Sequence, residues 1–181
     1  MKKFLLLTLM LALIVNCKKE NNYLLAKEQV GKITATTQIH ELKSIFEKDS
    51  LVSHIGEGAF ADSAYDEYMI YHKQDGHILT IIPKEQHDST STIESIQVFG
   101  ENYKTISGLG VTSTFSDITG NYSVNKVEST FTTAVLFVDE LNATMTIDKK
   151  ELGINDFGIQ KISLGQIPDM AKLKGITFWF D

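Results

Sequence analysis

The chain has 181 residues, of which 43% are hydrophobic and 22% are charged, and its net charge is −6 at pH 7. This apolar fraction is that of a globular protein and excludes a generally disordered chain. All 17 basic residues are lysines. An acidic chain without arginine argues against nucleic acid as a partner and against bidentate recognition of phosphate.

The N-terminal residues have the layout of a secretory signal peptide. Met1–Lys3 is basic, Phe4–Val15 is apolar, and the only cysteine, Cys17, stands where cleavage is expected. The apolar run is shorter than the roughly 20 residues of a membrane-spanning helix, which argues against an integral membrane protein. The sequence therefore predicts a signal peptide over residues 1–16.

Residues 14–17, Ile-Val-Asn-Cys, resemble a bacterial lipobox, in which the cysteine becomes the lipidated first residue of the mature protein. Asn16 stands where that motif has Gly, Ala or Ser. The resemblance implies a fatty acyl anchor such as palmitate on Cys17, a polar tether over residues 17–22, and, because Lys18 follows the cysteine, an outer-membrane location facing the periplasm or the cell surface. A plain signal peptide with an incidental cysteine is the alternative.

The mature chain would carry 15 lysines against 23 acidic residues, a net charge of −8. This charge disfavours adhesion to anionic headgroups, so membrane attachment would come from the lipid on Cys17. An exported domain without disulfides must be stabilised by its core, which is feasible at this length.

Residues 23–100 are predicted to form a first α+β unit. The pattern begins with a strand and an extended stretch, and it changes to helical spacing after Thr36-Thr37, whose hydroxyls can cap a helix. The stretch 51–64 is predicted to be irregular. The other elements predicted up to this point are a strand over Tyr23–Ala26, an extended stretch over Val30–Ile33 with a bulge at Gly31, and a helix with Ile39, Leu42, Ile45 and Phe46 on its apolar face.

A three-strand meander is predicted to complete this unit. Asp75-Gly76 is a strong hairpin signal between its first two strands, and a polar loop precedes the third. The predicted strands are Tyr65–His72, His77–Ile82 and Ile93–Phe99.

Residues 101–181 are predicted to repeat this plan as a second α+β unit, with the terminal Ile176–Phe180 as a buried strand. The fold class expected is therefore α+β, with two tandem strand-helix-meander units and antiparallel sheet. The alternative is coincidence between amphipathic segments of similar period. Val30, Ile39, Leu42 and Phe46 match Ile106, Phe115, Ile118 and Tyr122 at a spacing of 76 residues, and Leu79-Thr80-Ile81 matches Met145-Thr146-Ile147 at a spacing of 66.

The stretches 30–46 and 106–122 resemble a unit of small exported bacterial lipoproteins. Outer-membrane assembly lipoproteins of the SmpA/OmlA type use one such unit, and the β-lactamase-inhibitor protein fold uses two. The overall texture is also similar to uncharacterised lipoproteins of flavobacterial type. Because these families work by binding, the resemblance implies a binding role and brings no catalytic residues.

The sequence contains no metalloprotease motif, phosphate-binding loop or nucleophile elbow, and Ser107–Gly110 is interpreted as a turn that enters the second helix. We expect a non-enzymatic binding or assembly module without a cofactor, in which Tyr68 and Tyr71 on a concave sheet surface contact an envelope protein partner. A periplasmic small-molecule carrier or hydrolase is the alternative.

Two weaker hypotheses concern side-chain chemistry. His72 and His77 flank the hairpin turn and could bind a metal with Asp75 or Glu85, although exposed hairpin histidines are common. Ser50, Ser63 and Ser89 each follow an aspartate in a predicted loop, and Asp followed by a hydroxyl residue resembles an O-glycosylation pattern of exported bacterial proteins.

Overall fold

The computed structural model describes residues 21–56, 66–154 and 158–180, so the predicted signal peptide and Cys17 lie outside the described residues. The strands are β1 (Leu25–Ala26), β2 (Gln29–Val30), β3 (Ile33–Thr34), β4 (Ser50–His54), β5 (Glu67–His72), β6 (Gly76–Pro83), β7 (Ile93–Val98), β8 (Lys126–Ser129), β9 (Thr133–Val138), β10 (Ala143–Asp148) and β11 (Leu173–Trp179). The helices are α1 (Leu42–Ile45), which follows a 3-10 turn at Ile39–Glu41, and α2 (Phe115–Thr119), and further 3-10 turns lie at Asp139–Leu141, Lys149–Leu152 and Leu164–Gln166.

Eight of the strands form one antiparallel sheet in the order β4-β5-β6-β7-β11-β10-β9-β8. Each half of the chain therefore contributes a four-stranded meander, and the two meanders join where β7 pairs with β11. The predicted mixture of helix and antiparallel sheet is confirmed, but the fold consists mostly of sheet and its helices are short.

One row of apolar side chains crosses all eight strands on the covered side of the sheet. Its middle members are at most 1% exposed, and only the two end members are half-buried. They belong to one hydrophobic cluster together with side chains from the N-terminal hairpin β1–β3, from both helices and from the segment 158–171, which pack over this side. In cross-strand register the row is Leu51, Ile70, Leu79, Val98, Ile176, Met145, Leu136 and Val127.

The start of the chain differs from the prediction at Gly31. This glycine lies in the turn between β2 and β3 with a φ of 60°, and it is not a bulge in one extended stretch. A Cβ at this position would lie 2.5 Å from the carbonyl oxygen of Asn22. The tight turn and the close backbone approach both require a residue without a side chain.

The first helix is shorter than predicted, and the irregular stretch that was predicted from residue 51 onward begins with a strand. The helix ends at Ile45, because Phe46 has left the helical region with φ −109° and ψ 38°. From Ser50 the chain instead pairs with β5, so backbone groups that a longer helix would have used are satisfied by the sheet.

The same hydrogen bonds recur at the start of each helix. A backbone N–H donates to a hydroxyl three residues later, the helix N-terminus forms a capping box, and the first helical N–H groups donate to a loop that precedes the last strand of that half. The corresponding bonds are Thr34 N to Thr37 Oγ1 and Gly110 N to Ser113 Oγ, Gln38 N to Glu41 Oε2 and Thr114 N to Asp117 Oδ2, and Ile39 N to Ser91 O and Phe115 N to Ala171 O.

A register shift also recurs between the third and fourth strands of each half. It lies after Ile82 in β6 and after Thr146 in β10, which are 64 positions apart. The correspondence at 66 residues inferred from sequence is therefore displaced by two along the strand. The match of Val30 with Ile106 does not hold either, because Val30 is fully buried whereas Ile106 is 92% exposed.

Among the described residues, no helix combines the length and the apolar character that crossing a bilayer requires.

Candidate functional site

The second side of the eight-stranded sheet carries side chains that are half-buried or exposed. They lie one residue out of phase with the buried row, and they form a continuous row across the sheet. None of them is buried among the described residues. We call this surface the open face, and its central row is Val52, Met69, Thr80, Gln97, Thr177, Thr144, Phe137 and Lys126.

One half of the open face carries an aromatic stack. The rings of Tyr71 and His77 lie 5.0 Å apart and nearly parallel, and the ring of Phe99 lies 4.3 Å from His77. The Nε2 atom of His77 is 2.9 Å from the hydroxyl of Thr80 and 3.0 Å from the carbonyl oxygen of Leu79. These contacts fix the histidine ring, so the stack is held in place before any partner arrives.

Aromatic side chains also lie on the other half of the open face. The indole N–H of Trp179 donates to the hydroxyl of Thr144 over 3.1 Å, and the Trp179 side chain remains 40% exposed. The ammonium group of Lys126 lies 5.1 Å from the centre of the Phe137 ring, a cation–π contact.

Small polar residues occupy the middle of the open face. Gly175 has no side chain there, and a Cβ at this position would lie 3.4 Å from the hydroxyl of Thr146 and 3.6 Å from the amide nitrogen of Gln97. The centre is therefore low and weakly polar, with aromatic rings on both sides of it.

The structure separates the two tyrosines that were predicted as binding residues. Tyr71 lies on the open face, where its hydroxyl is 3.6 Å from the sulfur of Met69. Tyr68 is in register with Ile81 on the covered side and packs half-buried against the core. Burial, together with the charge of Asp66, raises the pKa of Tyr68 above its ordinary value. Of the two, only Tyr71 contributes to the open face.

The two histidines that were predicted as metal ligands do not converge. His77 belongs to the open face, whereas His72 lines a recess on the covered side, with its Nδ1 atom 2.9 Å from Asp75 Oδ2. Glu85 follows the opposite end of β6. The described residues contain no group of three or more histidine, cysteine, aspartate or glutamate side chains that could bind a metal ion.

The predicted modification sites have different surroundings. Ser89 is exposed in a turn, where its carbonyl oxygen accepts a hydrogen bond from the N–H of His40. Ser50 is exposed but is the first residue of β4, so it is not in a loop as predicted. Ser63 lies outside the described residues, as Cys17 does.

Two recesses lie away from the open face. The first has a volume of about 210 Å³ and lies beside Tyr23 and Tyr103, whose rings meet edge to face at 5.2 Å. Burial, with smaller effects from Tyr23 and Asp49, raises the pKa of Tyr103 far above its ordinary value. The second, of about 270 Å³, lies over the predicted turn Ser107–Gly110, where Gly108 has a φ of 89°. Both are smaller than the roughly 300–1,000 Å³ of typical ligand sites.

A buried carboxylate holds three backbone segments together. Asp66 is 1% exposed, and its oxygens accept hydrogen bonds from the N–H groups of Gly56, at 3.0 Å, and His87, at 2.6 Å. Burial raises the pKa of Asp66, but these two hydrogen bonds and the charge of the His87 ring outweigh burial, so the net pKa is lowered. Asp66 thereby connects the end of β4 to the start of β5 and to the loop after β6.

Sequence reasoning missed most residues of the open face. It predicted that the whole segment Ile176–Phe180 is buried, whereas Thr177 and Trp179 point to the open face. Strict alternation of side chains in a strand was the signal that could have separated them.

The comparisons with known proteins establish a fold only. No protein-family model matches the chain, and no curated protein is significantly similar to it. The chain is similar in structure to the crystal structure of the uncharacterised protein YfeY from Escherichia coli, with a TM-score of 0.50 and 17% sequence identity. The match covers 85% of this chain and 98% of that chain.

Proposed function

We propose that this protein is a lipid-anchored protein of the bacterial cell envelope that binds another envelope protein through the open face, without enzymatic activity. The observation that carries the proposal is the open face itself. It is a sheet surface eight strands wide, with half-exposed aromatic rings on both sides of a low centre.

The chemistry of this surface fits a protein partner. Aromatic side chains are enriched in the cores of protein–protein interfaces, and lysine and acidic residues are depleted there. The open face has Tyr71, Phe99, Phe137 and Trp179, and its row contains one charged residue, Lys126, at the edge. The hydrogen bonds at His77 and Trp179 reduce the conformational entropy that these rings would lose on binding.

The small-molecule carrier or hydrolase is the second interpretation, and it would need a pocket with convergent polar groups. The recess beside Tyr103 is small, and the tyrosine hydroxyl, with its raised pKa, stays protonated at neutral pH and does not serve as a base. The open face therefore supports protein binding better than the recesses support catalysis.

The membrane anchor in this proposal is Cys17. The described fold begins at Asn21, and four residues reach at most about 14 Å when extended. A lipid on Cys17 would therefore hold the sheet close to the bilayer surface, and binding would take place there.

We also propose that residues 23–100 and 101–181 are two copies of one α+β unit. The recurring hydrogen bonds at the helix starts support this, because the same donor and acceptor positions recur 76 residues apart in the segments just before and within the helices. The recurring register shift supports it independently, because nothing in simple strand alternation requires an irregularity at matching positions. Under this proposal the open face combines surface from both copies.

Photocrosslinking in intact cells tests the binding surface. We expect a photoreactive phenylalanine analogue at Gln97, in the centre of the open face, to capture one protein partner. The matched control is the same analogue at Lys43, an exposed residue of α1 on the covering layer. Capture of no protein at Gln97, or of the same proteins at both positions, would contradict the proposal.

A separate experiment tests the anchor. Wild-type protein should incorporate labelled palmitate and sediment with membranes, and Cys17→Ser should lose both properties. Asn16→Gly, which restores the residue type usual before a lipobox cysteine, should keep both. Labelling that persists in Cys17→Ser would reject Cys17 as the attachment site, and it would leave the crosslinking result unaffected.

A further inference from the structure

The two edges of the eight-stranded sheet differ in charge. In the part of the chain that the structure describes, β8 and β4 each have only one neighbouring strand. β8 carries Lys126 and Glu128, whose side chains form an ion pair. Charged side chains on an edge strand oppose pairing with a second chain, because pairing would desolvate them.

The β4 edge has no such protection. Its five residues, Ser50–His54, include no lysine, aspartate or glutamate, and all but Leu51 are exposed. Val52, in the middle of the strand, is 40% exposed, and Ile55 directly after it is 42% exposed. An uncharged edge strand with an exposed β-branched residue at its centre presents unpaired backbone groups that another strand can satisfy.

We propose that β4 pairs with β4 of a second copy of this chain, antiparallel and centred on Val52. The product is a symmetric dimer with one continuous sheet of sixteen strands, twice the eight of a single chain. This pairing is isologous, so the same patch serves both copies and the assembly closes at two.

The sequence of β4 is compatible with pairing to itself. Centring on Val52 places this residue beside the partner's Val52, Leu51 beside the partner's Ser53, and Ser50 beside the partner's His54. No like charges meet, and both Val52 side chains become buried against each other. The equivalent self-pairing of β8 would bury Lys126 and Glu128 instead.

The chain already contains a joint of this kind. β7 and β11, the last strands of the two meanders, pair antiparallel with Gln97 opposite Thr177 at the centre. Directly opposed residues in such a pair lie on the same side of the sheet. Pairing through β4 would therefore place the open faces of both copies on one side and double the width of that surface.

Cysteine crosslinking tests the proposal directly. Directly opposed residues have Cα atoms about 4.5–5.5 Å apart, which a disulfide can bridge. We expect Val52→Cys, after mild oxidation of intact cells, to run as a disulfide-linked dimer on a non-reducing gel. The control is Glu128→Cys, 76 residues later on the protected edge, and it should stay monomeric.

Two further arms identify the bond and exclude a trivial result. Wild type reports any dimer formed through Cys17, and Val52→Cys combined with Cys17→Ser should still form the dimer. Absence of a Val52→Cys dimer, or equal dimer from Glu128→Cys, overturns the proposal.

A charge exchange tests the register without any covalent bond. Val52→Lys and Val52→Glu each place like charges against each other, so differently tagged copies of the same variant should not co-purify. Co-expression of Val52→Lys with Val52→Glu should restore co-purification. Each variant must keep the wild-type melting temperature of its monomer. Co-purification of Val52→Lys with itself at the wild-type level would overturn the proposal.

Discussion

At the scale of single residues, two buried hydroxyls position the helices. Thr37 and Ser113 are 6% and 8% exposed, and each accepts a hydrogen bond from the backbone N–H three residues earlier. The acceptor holds the chain in a turn just before the helix begins. A hydroxyl is required because an apolar side chain would leave the donor without a partner.

We expect Thr37→Val and Ser113→Ala each to lower the free energy of unfolding by about 1–2 kcal/mol, the cost of an unsatisfied backbone donor. Chemical denaturation at pH 7 measures this effect. The neighbouring Thr36→Val, at an exposed position, should change the stability by less than about 0.5 kcal/mol. A cost at only one of the two buried hydroxyls would show that the two turns are not energetically equivalent.

A second prediction at this scale concerns Asp66 and pH. Because hydrogen bonds and the His87 charge outweigh burial, its pKa in the folded state is lower than in the unfolded state. Its contribution to stability is therefore complete above the unfolded pKa of about 3.9 and is lost as the pH falls through the folded pKa.

Asp66→Asn should reduce the free energy of unfolding at pH 7, since an amide cannot accept from both Gly56 and His87 as the carboxylate does. The stability of this variant should also depend less on pH below about 5 than that of wild type. Denaturation curves between pH 3 and 7 measure both effects, with Asp139→Asn at an exposed position as the control. Equal pH dependence in wild type and Asp66→Asn would contradict the assigned role.

At the scale of elements, two glycines have opposite reasons to be glycine. Gly31 turns the N-terminal hairpin in a left-handed conformation against the backbone of Asn22. Gly175 lies within β11 in a conformation open to other residues, and a Cβ there would make only ordinary contacts. The first is required by the backbone, whereas the second only keeps the centre of the open face low.

Gly31→Ala should therefore destabilise the protein by about 2 kcal/mol or more, through left-handed strain and the clash with Asn22. Gly175→Ala should be neutral or stabilise by up to about 1 kcal/mol, because it restricts the unfolded chain. Thermal and chemical denaturation of both variants measure the contrast. A large loss of stability for Gly175→Ala would show that β11 tolerates no side chain there.

At the scale of the whole molecule, both halves of the chain share one core. The buried cluster runs from Leu25 to Phe180 and includes side chains from every strand of the eight-stranded sheet except β4 and β8, whose Leu51 and Val127 pack against it. Since the joint between β7 and β11 lies in the middle of the sheet, neither half can lose its strands without exposing apolar surface of the other.

We therefore expect a single cooperative unfolding transition. Fluorescence of the only tryptophan, Trp179 on β11, and far-ultraviolet circular dichroism of the whole backbone should give the same midpoint. Separate midpoints would show that the two halves unfold independently.

How far the sequence predicts this fold depends on the range of the interactions involved. The Asp75-Gly76 turn and the strands around it were predicted correctly, because turn chemistry and side-chain alternation act over a few residues. The buried helix positions Ile39 and Phe115 were predicted correctly for the same reason. The leader, the lipid on Cys17 and the binding role stay predictions.

The features that were mispredicted depend on contacts distant in the chain. β4 was predicted as irregular because its order comes from pairing with β5, and the position of Tyr68 depended on which side of β5 is covered. Alternation along β11 separates two sides, but it does not say which one the N-terminal hairpin and the helices cover.

By itself, the sequence determined the local elements, the hydroxyl acceptors at both helix starts and the position of the hairpin turn. Only the tertiary structure decided that the two meanders join through β7 and β11, that Trp179 and Tyr71 share an uncovered surface, and that β4 is an edge. The physical reason is that strand order and the covered side of a sheet are set by burial of apolar surface between distant segments, which no local pattern records.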